Sequence, residues 1–339
     1  MNTEARLGEN TKFTVVGDGN GFMSRVILVE PDWTVHGEHL PNRFVLKITS
    51  CMHVLNVLDQ MNLQDKSESA LWSIFEYEAQ GLHNREVNLY EIIGKWNMDD
   101  VLMSPKVFFS KKFDSENLTK GFFAMEYVDN AITRHLYINL KSYELHSILK
   151  SLAVFQAESL KLNKREQESV TGYDLEKIVG KMFSQNGLNS IFEQVRQINK
   201  EELSEAADKI AVFGVELSIH LGNPAEDLVR LFISTLSGSE RQKYWEKLLE
   251  QFYEYFIEAL EDKNVPYTLE QLKESYRLYF VTGSLLMLPM FGPIAEVKLA
   301  EMSDPDEVKK YREILTEKTK RLLNDMEHRH LYTREIIKK

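Results

Sequence analysis

Apolar and polar positions fall into two regimes along the chain. Up to about residue 130, short runs carrying Val, Ile or Phe occupy 13–16, 23–29, 44–49, 106–109 and 121–127. Most are bounded by Gly, Pro, Asp or Asn, the pattern of β-strands. Between the third and fourth runs, "SALWSIFEYEAQGLHNREVNLYEIIGKW" has helical character and is predicted as two helices broken near Gly81. Beyond residue 140 the spacing is that of helices: Leu145, Ile148, Leu149, Leu152 and Phe155 mark one buried face. Three helix entrances can be read from residues whose side chains bond a backbone amide while a Glu or Gln reciprocates. They are Ser239 with Gln242, Thr268 with Gln271, and Asn223 before Pro224 with Glu226 as partner. No internal repeat or long linker interrupts the chain. The pattern predicts an α+β protein, strand-rich over 1–130 and helical over 131–339.

Composition adds exclusions. With 339 residues, 43% of them hydrophobic, the chain has ample material for a large core or two lobes. Lys and Arg number 41 against 52 Asp and Glu, a formal charge of -11, and no basic cluster escapes the surrounding acids. Neither nucleic acid nor an anionic membrane surface is an expected partner. Cys51 is the only cysteine, which excludes an internal disulfide and fits a reducing compartment. The N-terminal residues are polar and lack the apolar segment of a signal peptide, so a soluble, cytoplasmic protein is predicted. Residues 278–295 carry no charge, a length at the lower limit for a membrane span. Gly283, Pro289, Gly292 and Pro293 lie inside it, and their interruptions would leave backbone groups unsatisfied in lipid. A buried helix ending near Pro289 is expected instead.

Candidate chemistry begins at "FTVVGDGNGFMSRVILVEPD", where Gly17, Gly19 and Gly21 alternate between two β-branched runs. Glycines there either turn an ordinary hairpin or let backbone amides approach phosphate oxygens. No Gly-Lys-Ser/Thr follows, and a strand comes next, so this is not a Walker A loop. In "NRFVLKITS", Lys47 sits within an apolar strand, where a lysine either snorkels to water or pairs with an acid. In "HNREVNLYEII", Glu86 lies on a helix among Val87, Leu89 and Tyr90, either solvated or paired. Glycine hairpin, strand lysine, helix glutamate, then the strand "FFAMEYVDN" is the succession of the small lobe in the eukaryotic-kinase-like fold.

On these residues the chain resembles the CHK kinase-like family, relatives of choline, ecdysteroid and aminoglycoside kinases. "GDGNGFMSRV", "RFVLKITS", "LHNREVNLYE", "FFAMEYVD" and "GNPAEDLVRLF" carry the resemblance over nearly the whole length. It implies a two-lobed protein-kinase-like fold: a nucleotide-binding lobe with hinge over 1–130 and a helical lobe over 131–339. It places Gly17, Gly19, Gly21 and Ser24 in a phosphate loop, Lys47 on the α- and β-phosphates, and Glu86 in an ion pair with Lys47. It makes 125–128 the hinge, with the Glu126 carbonyl and the Val128 amide reading the adenine edge of ATP. Ancestral activity would be ATP-dependent phosphate transfer to a hydroxyl of a small molecule, assisted by magnesium.

The second half of that machinery is missing. Such transfer needs a carboxylate to accept the hydroxyl proton and acidic ligands for magnesium. The resemblance calls for a His-Gly-Asp motif and an Ile-Asp-aromatic strand before "GNPAEDL". The chain instead reads "ADKIAVFGVELSIHLGNPAEDLVR", and neither triplet occurs elsewhere. The simplest explanation is an internal deletion at about Leu217–Ser218, because decay would have left substituted residues in place. "HGEHLPN", residues 36–42, imitates the missing motif but precedes Lys47 in the chain. Asp227 is expected to support the backbone of the helical lobe and not to bind metal. Asp129 and Asp174 have no argument placing them near a cleft. Trp245, Tyr253 and Tyr255 either box a quaternary ammonium group or, at helical spacing, belong to the core. Two readings follow: an inactive kinase relative without magnesium ligands, whose hold on ATP is weak or vestigial, or a nucleotide-binding regulatory module of pseudokinase type.

Overall fold

In the computed structural model the described residues are 4–16, 24–35, 40–50, 68–116, 120–129, 131, 134–171, 184–212, 223–261, 264–292, 295, 299–300 and 302–337. They divide into two compact units. The first takes the residues before 133 together with 162–171; the second takes 134–161 and those from 184 onward.

The first unit is built on a five-stranded antiparallel sheet of order β1-β2-β3-β5-β4. Its strands are β1 (Lys12–Val15), β2 (Ser24–Glu30), β3 (Phe44–Thr49), β4 (Val107–Lys111) and β5 (Phe122–Glu126). All five fall on the runs that the apolar pattern marks, within a residue or two. Alternation along β3 and its neighbours assigns Val26, Val45, Lys47, Thr49, Phe123 and Met125 to one face, since directly paired residues point the same way. Across that face lies α1 (Glu68–Trp96). Val87, Phe123 and Met125 form the buried cluster between helix and sheet, with Val45, Tyr90 and Val107 against it.

The helix runs through Gly81 without a break, contrary to the two helices expected. One glycine in a helix interior costs only about 1 kcal/mol, less than the burial of Val87 and Ile92 returns. A short helix, α2 (Asp99–Leu102), leads towards β4. A later one, α4 (Lys164–Val170), packs on α1: Asn88 donates to the Ser169 carbonyl (2.7 Å) and Arg85 Nε to that of Thr171 (3.0 Å).

The second unit is helical: α3 (His146–Ser159), α5 (Gln185–Ile198), α6 (Lys200–Val212), α7 (Ala225–Thr235), α8 (Gly238–Leu260), α9 (Leu269–Phe291) and α10 (Pro305–Ile337). Leu149, Ala153 and Ala157 are fully buried at four-residue intervals, as is Leu145 just before the helix, and that stripe of α3 packs on α8. Gly283 lets α9 close on α7: a Cβ there would lie 2.6 Å from Val229 Cγ1. As expected, α9 is buried and ends near Pro289, at Phe291, the proline costing it one internal bond while its packing is kept. Among the described residues no helix is long and apolar enough to cross a membrane.

Two of the three expected helix entrances need correction. Thr268 and Gln271 do cap α9 reciprocally. For α8 the capping serine is Ser237, whose hydroxyl accepts from Glu240 N at 3.1 Å. The amides of Gly238 and Ser239 are both taken by the Glu317 carboxylate, each at 3.0 Å. At α7, Asn223 does accept from Ala225 N (2.9 Å), but Glu226 pairs with Arg230 (3.0 Å) instead of reciprocating.

A buried lysine ties α10 into this unit. Lys318 Nζ donates to the carbonyls of Leu136 and Ser234, each at 2.8 Å, and is shut from solvent. Burial, reinforced by Arg241, pushes its pKa down from 10.5 to about 7. Between those values the unfolded chain binds the proton and the folded chain releases it, so stability rises with pH across that window. Urea unfolding midpoints are expected to climb from about pH 7 towards 10, and Lys318→Met to flatten the climb. A wild-type slope retained in the variant would place its cause elsewhere.

Candidate functional site

Ser24, Lys47 and Glu86 come together on the sheet face beneath α1. Ser24 opens β2 opposite Thr49, and Val26 lies opposite Lys47, so the start of β2 runs beside the part of β3 that carries the lysine. Lys47 Nζ meets Glu86 Oε1 at 2.5 Å, with 28% and 32% of the two side chains exposed. The ammonium also stands 5.7 Å from the centroid of the buried Phe123 ring. A half-covered ion pair of this kind fixes the direction of a cation while leaving donors free for another anion. Gly17, Gly19 and Gly21 lie outside the described residues.

At the far end of β3, Phe44 pairs with Glu126. Glu126 N donates to the Lys106 carbonyl (2.8 Å), and its carboxylate accepts from Lys106 N (3.1 Å). Val128 follows, half exposed, and its amide has no partner among the described residues. Arg43 reaches across this end to Asp129 and stands 4.9 Å over the Tyr127 ring. Asp129 is thus committed to an ion pair. Three residue steps along the strand take Phe44 to Lys47, roughly 10 Å at the rise of an extended chain. That distance suits a nucleotide laid along the strand, phosphates at one end and base at the other.

Residues that sequence reasoning overlooked surround the ion pair. His83, one turn before Glu86 on α1, is buried and bonded at both ring nitrogens: Nδ1 to Thr49 Oγ1 and Nε2 to the Lys111 carbonyl, each 2.8 Å. Asn84 exchanges two 2.8 Å bonds with the backbone of Phe113. Burial, the larger effect, holds the His83 pKa below 6.5 against the raising influence of Lys111 and Glu86. The available signal was spacing: Thr49 is two residues past Lys47 and His83 three before Glu86, so both share the faces of the pair.

Other candidates resolve differently. Asp227 bonds Arg230 one turn on (3.2 Å), a first-turn acid, and no backbone contact from it occurs among the described residues. Trp245 stacks on Tyr276 at 5.1 Å, with the guanidinium groups of Arg329 and Arg277 at 4.6 and 5.2 Å, so its faces meet this chain's own groups. Tyr253 donates to the Tyr267 carbonyl (2.9 Å), and Tyr255 accepts from Gln251 (3.1 Å). Residues 36–39, Cys51, Asp174 and the 217–218 junction lie outside the described residues. Among the described residues no group of three or more His, Cys, Asp or Glu is arranged to hold a metal.

Residues 1–219 and 217–334 match the family DUF1679, described as "Uncharacterized oxidoreductase dhs-27". The chain belongs to this family. The match comes in two pieces that meet at 217–219, and no residue from 1 to 334 is left between them. No curated protein and no solved structure matches the chain significantly.

Proposed function

We propose that this chain is a CHK kinase-like protein that binds ATP in its first unit and does not transfer phosphate. One observation carries the reading: the Lys47–Glu86 pair, set between the central strand of an antiparallel sheet and the helix crossing it. Lys47 would hold the α- and β-phosphates, Gly17, Gly19, Gly21 and Ser24 would enclose them, and the backbone of Glu126 and Val128 would take the adenine edge. The first unit corresponds to the nucleotide-binding lobe and the second to the helical lobe, in a cytoplasmic protein. The intact ancestor would act on a small-molecule hydroxyl with magnesium.

Inactivity rests on the segment around 217–218. The two-piece family match breaks where the catalytic and metal-binding motifs are missing from the sequence. A positioned base contributes roughly 10²–10⁴-fold, and magnesium several kcal/mol more. A chain without both retains a nucleotide pocket of regulatory, pseudokinase type.

The word oxidoreductase in the family description points to different chemistry. A dinucleotide site of the doubly wound kind needs parallel strands joined by a crossover helix, with the glycine turn entering that helix. Here the described sheet pairs are all antiparallel, and the next described element after the glycines is the strand β2, which favours the kinase-like reading.

Thermal unfolding with and without ATP tests it. At roughly a hundred times its Kd, ATP stabilises by about 3 kcal/mol, with or without magnesium. A folded chain whose midpoint ignores ATP would overturn the proposal.

A further inference from the structure

The neutral His83 ring couples two strands to the helix that carries Glu86. A carbonyl oxygen only accepts, so Nε2 must be the protonated nitrogen, donating to Lys111 on β4. Nδ1 is then an acceptor and takes the Thr49 hydroxyl of β3. Between these strands runs β5, whose Phe123 ring meets the His83 ring edge-on at 4.8 Å. The same side chain therefore fixes α1 in two directions across the sheet. Asn84 adds a second clamp just beyond β4 by closing both backbone groups of Phe113. Phe113 is itself seated against Gly121, where a Cβ would lie 2.0 Å from its ring.

Thr49 and Lys47 project from the same face of β3, and His83 and Glu86 from the same face of α1. Two rungs thus join one strand to one helix: Thr49 with His83, and Lys47 with Glu86. The first rung is the more deeply covered, His83 being 3% exposed. The second is open enough to meet a ligand.

We infer that His83 is the positioning residue of this site: by holding α1 to β3 and β4 it sets the register at which Glu86 restrains Lys47. The inference deepens the nucleotide-binding reading and rests on it for the identity of the ligand. The geometry of the pair itself does not depend on that reading.

Competitive acetylation of lysines in the free, full-length chain, read by mass spectrometry, tests the register without any ligand. His83→Phe keeps an aromatic ring against Phe113 and Phe123 but removes both bonds. Lys47 is expected to acetylate about tenfold faster than in the wild type, the scale of one lost bond to a charged group. Glu86→Gln should give a similar increase, and exposed Lys164 none. His83→Gln retains a donor for Lys111 and should recover most of the protection. Thr49→Val, which keeps its shape, should show an intermediate rate and serves if His83→Phe does not fold. Unchanged Lys47 reactivity in His83→Phe, or in Thr49→Val where that is the variant that folds, overturns the inference. In a second arm, the ratio of ATP to adenosine affinity should fall about tenfold in the same variant. Faster acetylation without any wild-type affinity for ATP would keep the positioning role and remove the nucleotide.

Discussion

Replacing Asp325 with alanine is expected to destabilise the second unit by about 3–5 kcal/mol, the penalty for leaving a buried cation without its counter-charge. Arg241 is that cation. Its side chain is 2% exposed, its Nη2 donates to Asp325 Oδ2 at 2.8 Å, and its Nε and Nη1 have no partner among the described residues. Phe280 lies beneath the guanidinium at 5.6 Å, and the positive charges of Lys318 and Arg329 share the same interior. Asp325 also accepts from Gln242 at 2.8 Å, so its loss opens a second bond. The pair itself need not be a net source of stability, because removing two charges from water is as costly as their attraction is favourable. The double variant Arg241→Met with Asp325→Leu is therefore expected to recover most of the loss. Urea unfolding of both variants measures this, and a double variant no better than Asp325→Ala would assign the loss to packing.

Replacing Lys47 with methionine is expected to weaken ATP binding about 10–100-fold, the value of one or two hydrogen bonds to a charged group. The fold should barely respond. Both partners of the ion pair are about a third exposed, and such pairs contribute between zero and about 1 kcal/mol. The variant separates function from stability: ATP loses its effect on the unfolding midpoint, while the midpoint without ATP stays near that of the wild type. Equal ATP affinity in both proteins, measured by titration calorimetry, would remove Lys47 from the site.

The strands were legible because each is a short β-branched or aromatic run with a breaker at its end, as at "RFVLKITS". The Lys47–Glu86 pair was legible from the order of elements, although neither residue is distinctive by itself. Gly81 misled because helix propensity is a local quantity, while the helix is held by Val87, Ile92 and the sheet beneath. Ser237 and Ser239 each have a Glu or Gln three residues on, so sequence could not choose between them. Glu317, distant in sequence, decides it by occupying the Gly238 and Ser239 amides. His83 was overlooked for the same reason: its partners Thr49 and Lys111 come from two strands that only folding brings to one helix. The burial of Lys318 and Arg241 follows from helix packing that periodicity does not encode.

Phosphorus NMR of ATP mixed with magnesium and an excess of the full chain tests binding without transfer in one spectrum. The β- and γ-phosphate resonances are expected to shift and broaden, with no new signal over hours even when a panel of amino-alcohols and sterols is added. A growing resonance of inorganic phosphate or a phosphate ester, lost in Lys47→Met, would contradict the proposal, as would resonances that ignore the protein.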